Sequence, residues 1–184
     1  MSGHKILRPT KEDLLAARGK RVPDIIAHGL KVLFCGINPG LYSGAVGHHF
    51  ARPGNRFWKA LFGAGFTDRL LTPYDEELLP GFGCGVTNIV NFATAQAQEL
   101  SVQQLREGAI KLEKKVREYS PGVLATLGID AYRKAFDRPG ANVGRQTETI
   151  DGTGLWVLPN PSGINASYGM EDLVRLFSQL RGNL

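Results

Sequence analysis

The stretch that decides the fold is KVLFCGINPG, residues 31–40, in which a short apolar run leads directly into a loop of glycine, asparagine and proline. The continuous apolar run at 32–35 is typical of a strand that is covered on both faces of a parallel sheet. Pro39 biases Asn38 towards an extended conformation. We therefore expect Asn38 just beyond the C-terminal end of a central strand, where open α/β sheets place their chemistry. Taken alone, the segment also fits a simple β-turn with asparagine as the turn former.

The rest of the chain alternates predicted strands with predicted helices. Further strands are predicted at 85–90, 123–127 and 155–158. Helices are predicted after Thr10, Asn55, Ser101 and Gly128, and over 171–180. This alternation predicts one α/β domain with three layers, α/β/α, around a mainly parallel four-stranded central sheet.

The segments between these elements carry less information. Residues 41–53 are predicted to be a long glycine-rich loop, in which His48 and His49 form an exposed pair rather than a metal site. An irregular stretch before the last strand could include a short edge strand at 146–150. Residues 1–24 are predicted to be a partly flexible N-terminal extension, and 25–184 the folded domain.

The composition is that of a globular protein with a surplus of positive charge. Hydrophobic residues make up 42% of the chain, and 22 Lys and Arg against 17 Asp and Glu give a net charge of +5. This charge suits a polyanionic partner and also an ordinary solvated surface. Cys35 and Cys84 lie in apolar surroundings and are predicted to be buried, reduced thiols. No membrane-length apolar run or signal-peptide pattern is present, so we expect a cytoplasmic protein without a membrane partner.

Two predicted strands end in loops with the same order of residues. GINPG occupies 36–40 and PNPSG occupies 159–163, so Asn38 and Asn160 could face one cleft. A side-chain amide can donate and accept hydrogen bonds but cannot take a proton. Such a site would orient a water molecule or bind an amide-like edge. A phosphate-binding loop and a GxSxG nucleophile elbow are both absent from the sequence, which argues against a nucleotide-handling enzyme or a serine hydrolase.

Four motifs in a fixed order carry a family resemblance: GINPG, then ARPGNRFWKALFGAGF at 51–66, GVTNIV at 85–90 and WVLPNPSG at 156–163. Together they resemble the mismatch-specific uracil-DNA glycosylases, relatives of thymine-DNA glycosylase in the uracil-DNA glycosylase superfamily. The resemblance implies that 25–184 is a glycosylase domain of that fold. It also implies base flipping and excision of uracil, and of thymine or ethenocytosine, opposite guanine in double-stranded DNA. No cofactor or metal is expected, and we expect a monomer.

The resemblance also implies roles for individual residues. Asn38 matches the asparagine that positions the attacking water. Phe50 matches the aromatic residue that stacks on the flipped base, and backbone groups near Ile37 and Phe50 would hold the base's carbonyl edge. Asn160 matches the polar residue of the second motif. The loop that enters the DNA is matched by Ser162, Gly163, Ile164 and Asn165, with Ile164 as the wedge.

The chain departs from the family pattern in two places. Ala166 stands where relatives often carry arginine. Relatives commonly have an acidic residue straight after the GVT strand, whereas this chain has Asn91, Phe92 and Ala93. We expect Asn91 and Ala93 to border the sugar, and catalysis without the acid to be slow. A noncatalytic or nearly inactive DNA-binding module on the same fold is therefore the alternative function.

Overall fold

The computed structural model describes residues 8–184, and its centre is a five-stranded sheet. The strands are β1 Val32–Gly36, β2 Cys84–Asn88, β3 Val123–Leu127, β4 Gly144–Ile150 and β5 Thr153–Leu158. Their order is β2-β1-β3-β5-β4, with β2, β1, β3 and β5 parallel and β4 antiparallel to β5. The α/β fold with a mainly parallel sheet is as predicted, and the sheet has one strand more than the predicted four, β4, which covers the possible edge strand at 146–150. The extra strand β4 is a mostly exposed, polar edge strand, so it lacks the apolar run that marks the other four.

Within residues 8–184, six α-helices and two 3₁₀ helices surround the sheet. The α-helices are α1 Lys11–Ala16, α2 Leu41–Val46, α3 Phe57–Gly63, α4 Val102–Tyr119, α5 Ile129–Ala135 and α6 Met170–Arg181; the 3₁₀ helices are Pro73–Phe82 and Ala97–Glu99. The predicted helices after Thr10 and Ser101 are confirmed, and each begins with a capping box in which the Thr10 or Ser101 side chain accepts the backbone N–H three residues later. The predicted loop at 41–53 is wrong in its first half, which forms α2. That helix begins at Gly40, which offers no side-chain cap.

The two faces of the sheet bury separate apolar clusters. Val32 and Phe34 point to one side, among residues of α3 and α6. Leu33 and Cys35 point to the other side, among residues of α4 and α5. This alternation confirms that β1 is buried on both faces. The helical spacing of Phe57, Trp58, Leu61 and Phe62 predicts that all four face the core, and Phe62 is the exception, since it is 43% exposed near the end of α3.

Residues 8–24 pack against the loop that follows β2. Ala17 is fully buried, the Gly19 N–H donates to Ala93 O (2.9 Å), and the Ala93 N–H donates to Lys20 O (2.8 Å). The remaining part of the predicted extension, residues 1–7, lies outside the described residues. Within 8–184, no helix combines the length and the apolar character needed to cross a membrane.

Both cysteines are free and buried, as predicted. Cys35 lies in the centre of β1 and Cys84 opens β2. Burial raises the pKa of the Cys35 thiol far above its ordinary value, and it raises that of Cys84 to about 12. Neither sulfur is therefore a thiolate near neutral pH.

The close approach of α4 to the end of β2 gives a test of the packing. A Cβ on Gly108 would lie 2.4 Å from the backbone oxygen of Ile89. Alanine is favoured over glycine inside a helix by about 1 kcal/mol, but here the backbone must move. We expect Gly108→Ala to lower the free energy of unfolding by about 1–3 kcal/mol, measured by denaturant titration.

The matched control is Gly140→Ala, since a Cβ at Gly140 meets no atom within 4 Å. We expect the stability of that variant to match the parent protein. A Gly108→Ala protein as stable as the parent would show that α4 does not need this close contact.

Candidate active site at the C-terminal edge of the sheet

The two Asn-Pro loops leave the same edge of the sheet and meet there. β1 and β5 run parallel on either side of β3, so their C-terminal ends are separated by one strand. Gly128 follows β3 with φ of 134°, and a Cβ there would lie 3.1 Å from Ile37 Cδ1 and 3.9 Å from Asn160 Cβ. The loops thus come together over Gly128, as their shared pattern predicts. Ile37 and Asn160 are both partly buried at this meeting point.

The side chain of Asn38 is held in one orientation by acceptors from two loops. Its Nδ2 donates to Pro39 O (3.1 Å), to Phe92 O (3.1 Å) and to Thr94 Oγ1 (2.8 Å). Carbonyl oxygens only accept, and the Thr94 hydroxyl donates its own hydrogen to Gln96 O. The nitrogen must therefore face these groups. The opposite atom, Oδ1, accepts no hydrogen bond from any residue in 8–184, and the side chain is only partly buried.

Phe50 lies beside β1 in a strained, well-supported conformation. Its φ is 52°, in the left-handed region that a non-glycine residue rarely adopts. Its ring stacks on Phe57 with centroids 4.2 Å apart and an interplanar angle of 28°. The next residue is also tied, because the Ala51 N–H donates to Ser43 Oγ (3.1 Å). Phe50 remains partly exposed, and its own N–H forms no hydrogen bond to another described residue.

Asn88 is a site residue that the sequence reasoning missed. It ends β2, directly beside Gly36 of β1, and is 7% exposed. Its Oδ1 would lie 2.5 Å from a Cβ on Gly36, and the Phe50 ring lies 3.3 Å from the same point. The Asn88 amide forms no hydrogen bond within 8–184, and its oxygen and nitrogen still reach the surface, so both are free to bind a ligand. Its position at the end of a strand within GVTNIV was the available signal.

A buried carboxylate fixes the segment before Phe50. Glu76, from the 3₁₀ helix Pro73–Phe82, accepts the His49 backbone N–H (2.9 Å) and the His49 Nδ1 hydrogen (3.0 Å) on one oxygen. Its other oxygen accepts from His48 Nδ1 (2.7 Å). The prediction that the two histidines form an exposed pair is wrong, because His49 is 2% exposed and both rings face Glu76. Burial disfavours the charged carboxylate, but the hydrogen bonds from His49 and His48 outweigh it and lower the pKa of Glu76.

The loop after β2 differs from what the sequence predicts. Asn91 is exposed, whereas Ala93 is fully buried and would lie 2.8 Å from a Cβ on Gly44 of α2. The side chain of Ala93 therefore does not border the sugar as expected, because it faces α2. The backbone of this loop does reach the site, because Phe92 O accepts from Asn38.

The second loop is shaped by its own polar side chains. Asn160 Oδ1 accepts the Ser162 N–H (2.9 Å), and Asn165 Nδ2 donates to Asn160 O (2.9 Å). The Asn165 N–H donates to Ser162 O (3.0 Å), which closes a turn with Gly163 and Ile164 at its centre. The Asn165 side chain is thus occupied within the loop. Ile164 is 73% exposed, a high value for a large apolar side chain.

The chemical groups at this edge are amides, one aromatic ring and backbone donors. Within the part of the chain that the structure describes, no group of three or more His, Cys, Asp or Glu side chains could hold a metal ion. An oriented amide oxygen beside a stacking surface and an unpaired amide can position water and a flat polar heterocycle.

Two comparisons with known proteins agree with this arrangement. The fold is similar to a solution NMR structure from Methanosarcina acetivorans, described as that of a candidate uracil DNA glycosylase, with a TM-score of 0.61. The two chains are 17% identical, and the match covers 89% of this chain and 98% of the other. The sequence profile of the uracil DNA glycosylase superfamily matches residues 23–181. The chain therefore belongs to the uracil DNA glycosylase superfamily.

Proposed function

We propose that this protein is a monofunctional DNA glycosylase that excises uracil mispaired with guanine from double-stranded DNA. The observation that carries the proposal is the fixed amide of Asn38, whose Oδ1 has no partner in 8–184 and lies at the edge where the two Asn-Pro loops meet. Membership of the superfamily supports glycosylase activity on DNA. The preference for a mismatch, with thymine or ethenocytosine as further substrates, rests on the resemblance of the four motifs.

In the proposed reaction, Asn38 orients the water. Its Oδ1 accepts one hydrogen of a water molecule, so that a lone pair of the water oxygen faces C1′ of the flipped nucleotide. The bond from C1′ to the base nitrogen breaks, the electron pair leaves with the base, and the water oxygen forms a new bond to C1′. The attacking water loses a proton to solvent, because an amide cannot accept it. Asn38 therefore contributes by positioning rather than by general-base catalysis.

The flipped base would be held by stacking on its face and by hydrogen bonds along one edge. Phe50 is the stacking surface, supported from behind by Phe57. The Asn88 amide presents a donor and an acceptor side by side, which matches O4 and N3–H of uracil, and the unpaired Phe50 N–H can donate to another base carbonyl. Thymine has the same edge as uracil. Discrimination between them therefore has to arise from space at the C5 methyl group.

Double-stranded DNA requires the base to leave the helix. Flipping costs a few kcal/mol, and it costs less for a mismatched pair. The exposed Ile164 at the tip of its turn fits the role of a wedge that fills the gap in the stack. The net charge of +5 favours contacts to phosphate groups.

One observation favours the alternative of a noncatalytic DNA-binding module. No carboxylate stands at residues 91–93, so no charge from this loop faces the positive sugar that forms as the bond breaks. Activity and binding separate the two functions. Alkaline strand cleavage at the uracil of a G·U duplex after incubation supports the glycosylase, and tight binding without cleavage supports the module.

The role of Asn38 is tested with Asn38→Ala in that assay. We expect single-turnover excision to fall by on the order of 10²-fold or more, the scale for losing a positioning group, while affinity for the G·U duplex stays close to that of the parent. Asn142→Ala, an exposed asparagine before β4, is the control and should retain the parent rate. Excision by Asn38→Ala at the parent rate would remove Asn38 from the mechanism.

The wedge is tested with Ile164→Ala. We expect slower excision from a G·U duplex by about 10-fold, equivalent to roughly 1.4 kcal/mol, with a smaller loss when the uracil lies opposite an abasic site and is already unpaired. The melting temperature should not change, because an exposed residue contributes little to the core. Val102→Ala, another exposed apolar residue, is the control. A large drop in melting temperature with normal excision would instead make Ile164 a structural residue.

Glu76 fixes His49, the residue before Phe50, and this role is tested with Glu76→Gln. Because the pKa of Glu76 is lowered on folding, its charge stabilises the protein above the ordinary glutamate pKa of about 4.3, and this contribution disappears as the pH falls through the lower, folded-state pKa. We expect the variant to be less stable at pH 7 by about 1–3 kcal/mol and to excise uracil more slowly.

The difference in stability between Glu76→Gln and the parent should shrink as the pH is lowered below about 4. The exposed neighbour variant Glu77→Gln should match the parent at every pH. A stability difference that is constant from pH 7 to pH 3, in denaturant titrations, would show that the charge of Glu76 is not what holds His49.

A further inference from the structure

Arg56 lies beneath the loop that carries Ile164 and binds it at four points. Nε donates to Pro161 O (3.3 Å), and Nη1 donates to Tyr168 O (2.6 Å). Nη2 donates to both Ser162 O (2.7 Å) and Asn165 O (3.0 Å). Four of the five guanidinium N–H groups are therefore used on backbone oxygens of one loop.

These four contacts lie on both sides of the exposed Ile164. Ser162 and Asn165 are the first and last residues of the turn that has Ile164 near its centre, and one nitrogen of Arg56 binds both. Pro161 and Tyr168 lie further out on either side. The guanidinium group thus fixes the base of the turn, and through it the direction and height of Ile164.

Backbone contacts join the same two segments. The Arg56 N–H donates to Pro161 O (3.0 Å). A Cβ on Gly163 would lie 2.6 Å from Gly54 O, so the backbones of 54 and 163 touch. Arg56 itself precedes α3, whose first residue Phe57 supports the ring of Phe50. One short segment therefore connects the stacking surface with the exposed tip.

We propose that Arg56 is a positioning residue for base flipping, acting through the geometry of the 161–168 loop rather than by contacting DNA phosphate. This inference rests on the proposed function. It predicts that a flat, forked donor is required at residue 56. Lysine retains the charge but presents a single ammonium group, which cannot reach four oxygens spread around a plane.

The test compares Arg56→Lys with the parent protein on two duplexes, one with a G·U pair and one with uracil opposite an abasic site. We expect single-turnover excision from the G·U duplex to fall by about 10-fold or more, with a clearly smaller loss on the unpaired uracil. In a protein that already carries Ile164→Ala, Arg56→Lys should slow excision little further, because both changes impair the wedge function of residue 164.

Two results would overturn the proposal. If Arg56→Lys excises uracil at the parent rate, a positive charge alone is sufficient at residue 56, which is the result expected of a residue that contacts DNA phosphate. Equal losses on both duplexes would show a general structural role in α3. Melting temperatures and circular dichroism report whether the variant is folded.

Should Arg56→Lys fail to fold, Gly163→Ala tests from the loop side whether the position of the 161–168 loop on the segment around Arg56 matters for flipping. Its Cβ must push the loop away from Gly54 while Arg56 stays intact. We expect the same selective loss on the G·U duplex, and an unchanged ratio between the duplexes would contradict the proposal.

Failure of the proposed function gives a different result. In that case the parent protein excises uracil from neither duplex. The affinities of the parent and of Arg56→Lys are then measured for a duplex that contains an abasic-site analogue and for an intact duplex. If the variant loses the parent's preference for the abasic-site duplex, the positioning role is supported. If the preference is unchanged, the role is contradicted.

Discussion

The site depends on a position that has no side chain. Gly36 ends β1, and a Cβ there would lie 2.5 Å from Asn88 Oδ1 and 3.3 Å from the Phe50 ring. Any other residue would force the amide and the ring away from the strand. Because Gly36 leaves this space open, Asn88 and Phe50 lie next to each other, with Asn38 only two residues further along the chain.

The features predicted correctly from the sequence depend on short-range or periodic signals. The capping boxes at Thr10 and Ser101 involve residues three apart, and β3 has the predicted bounds because its apolar run is interrupted on both sides. The two Asn-Pro loops meet because β1 and β5 run parallel on either side of β3, and the alternation of strands and helices predicts the parallel direction though not this order.

The features that the sequence did not predict depend on contacts between distant segments. Glu76 reaches His49 across 27 residues, and no local pattern marks that pair. Ala93 turns towards α2 because Gly44 leaves room for it, and α2 itself is too short for a periodic signal.

The two buried thiols bear on how the protein withstands oxidants. Peroxides and electrophiles react with thiolates, and both Cys35 and Cys84 are held as neutral, solvent-shielded thiols by their raised pKa values. The same reagents damage the bases of DNA. Because both cysteine sulfurs are buried in the sheet, we expect such reagents to leave them unmodified while the protein is folded.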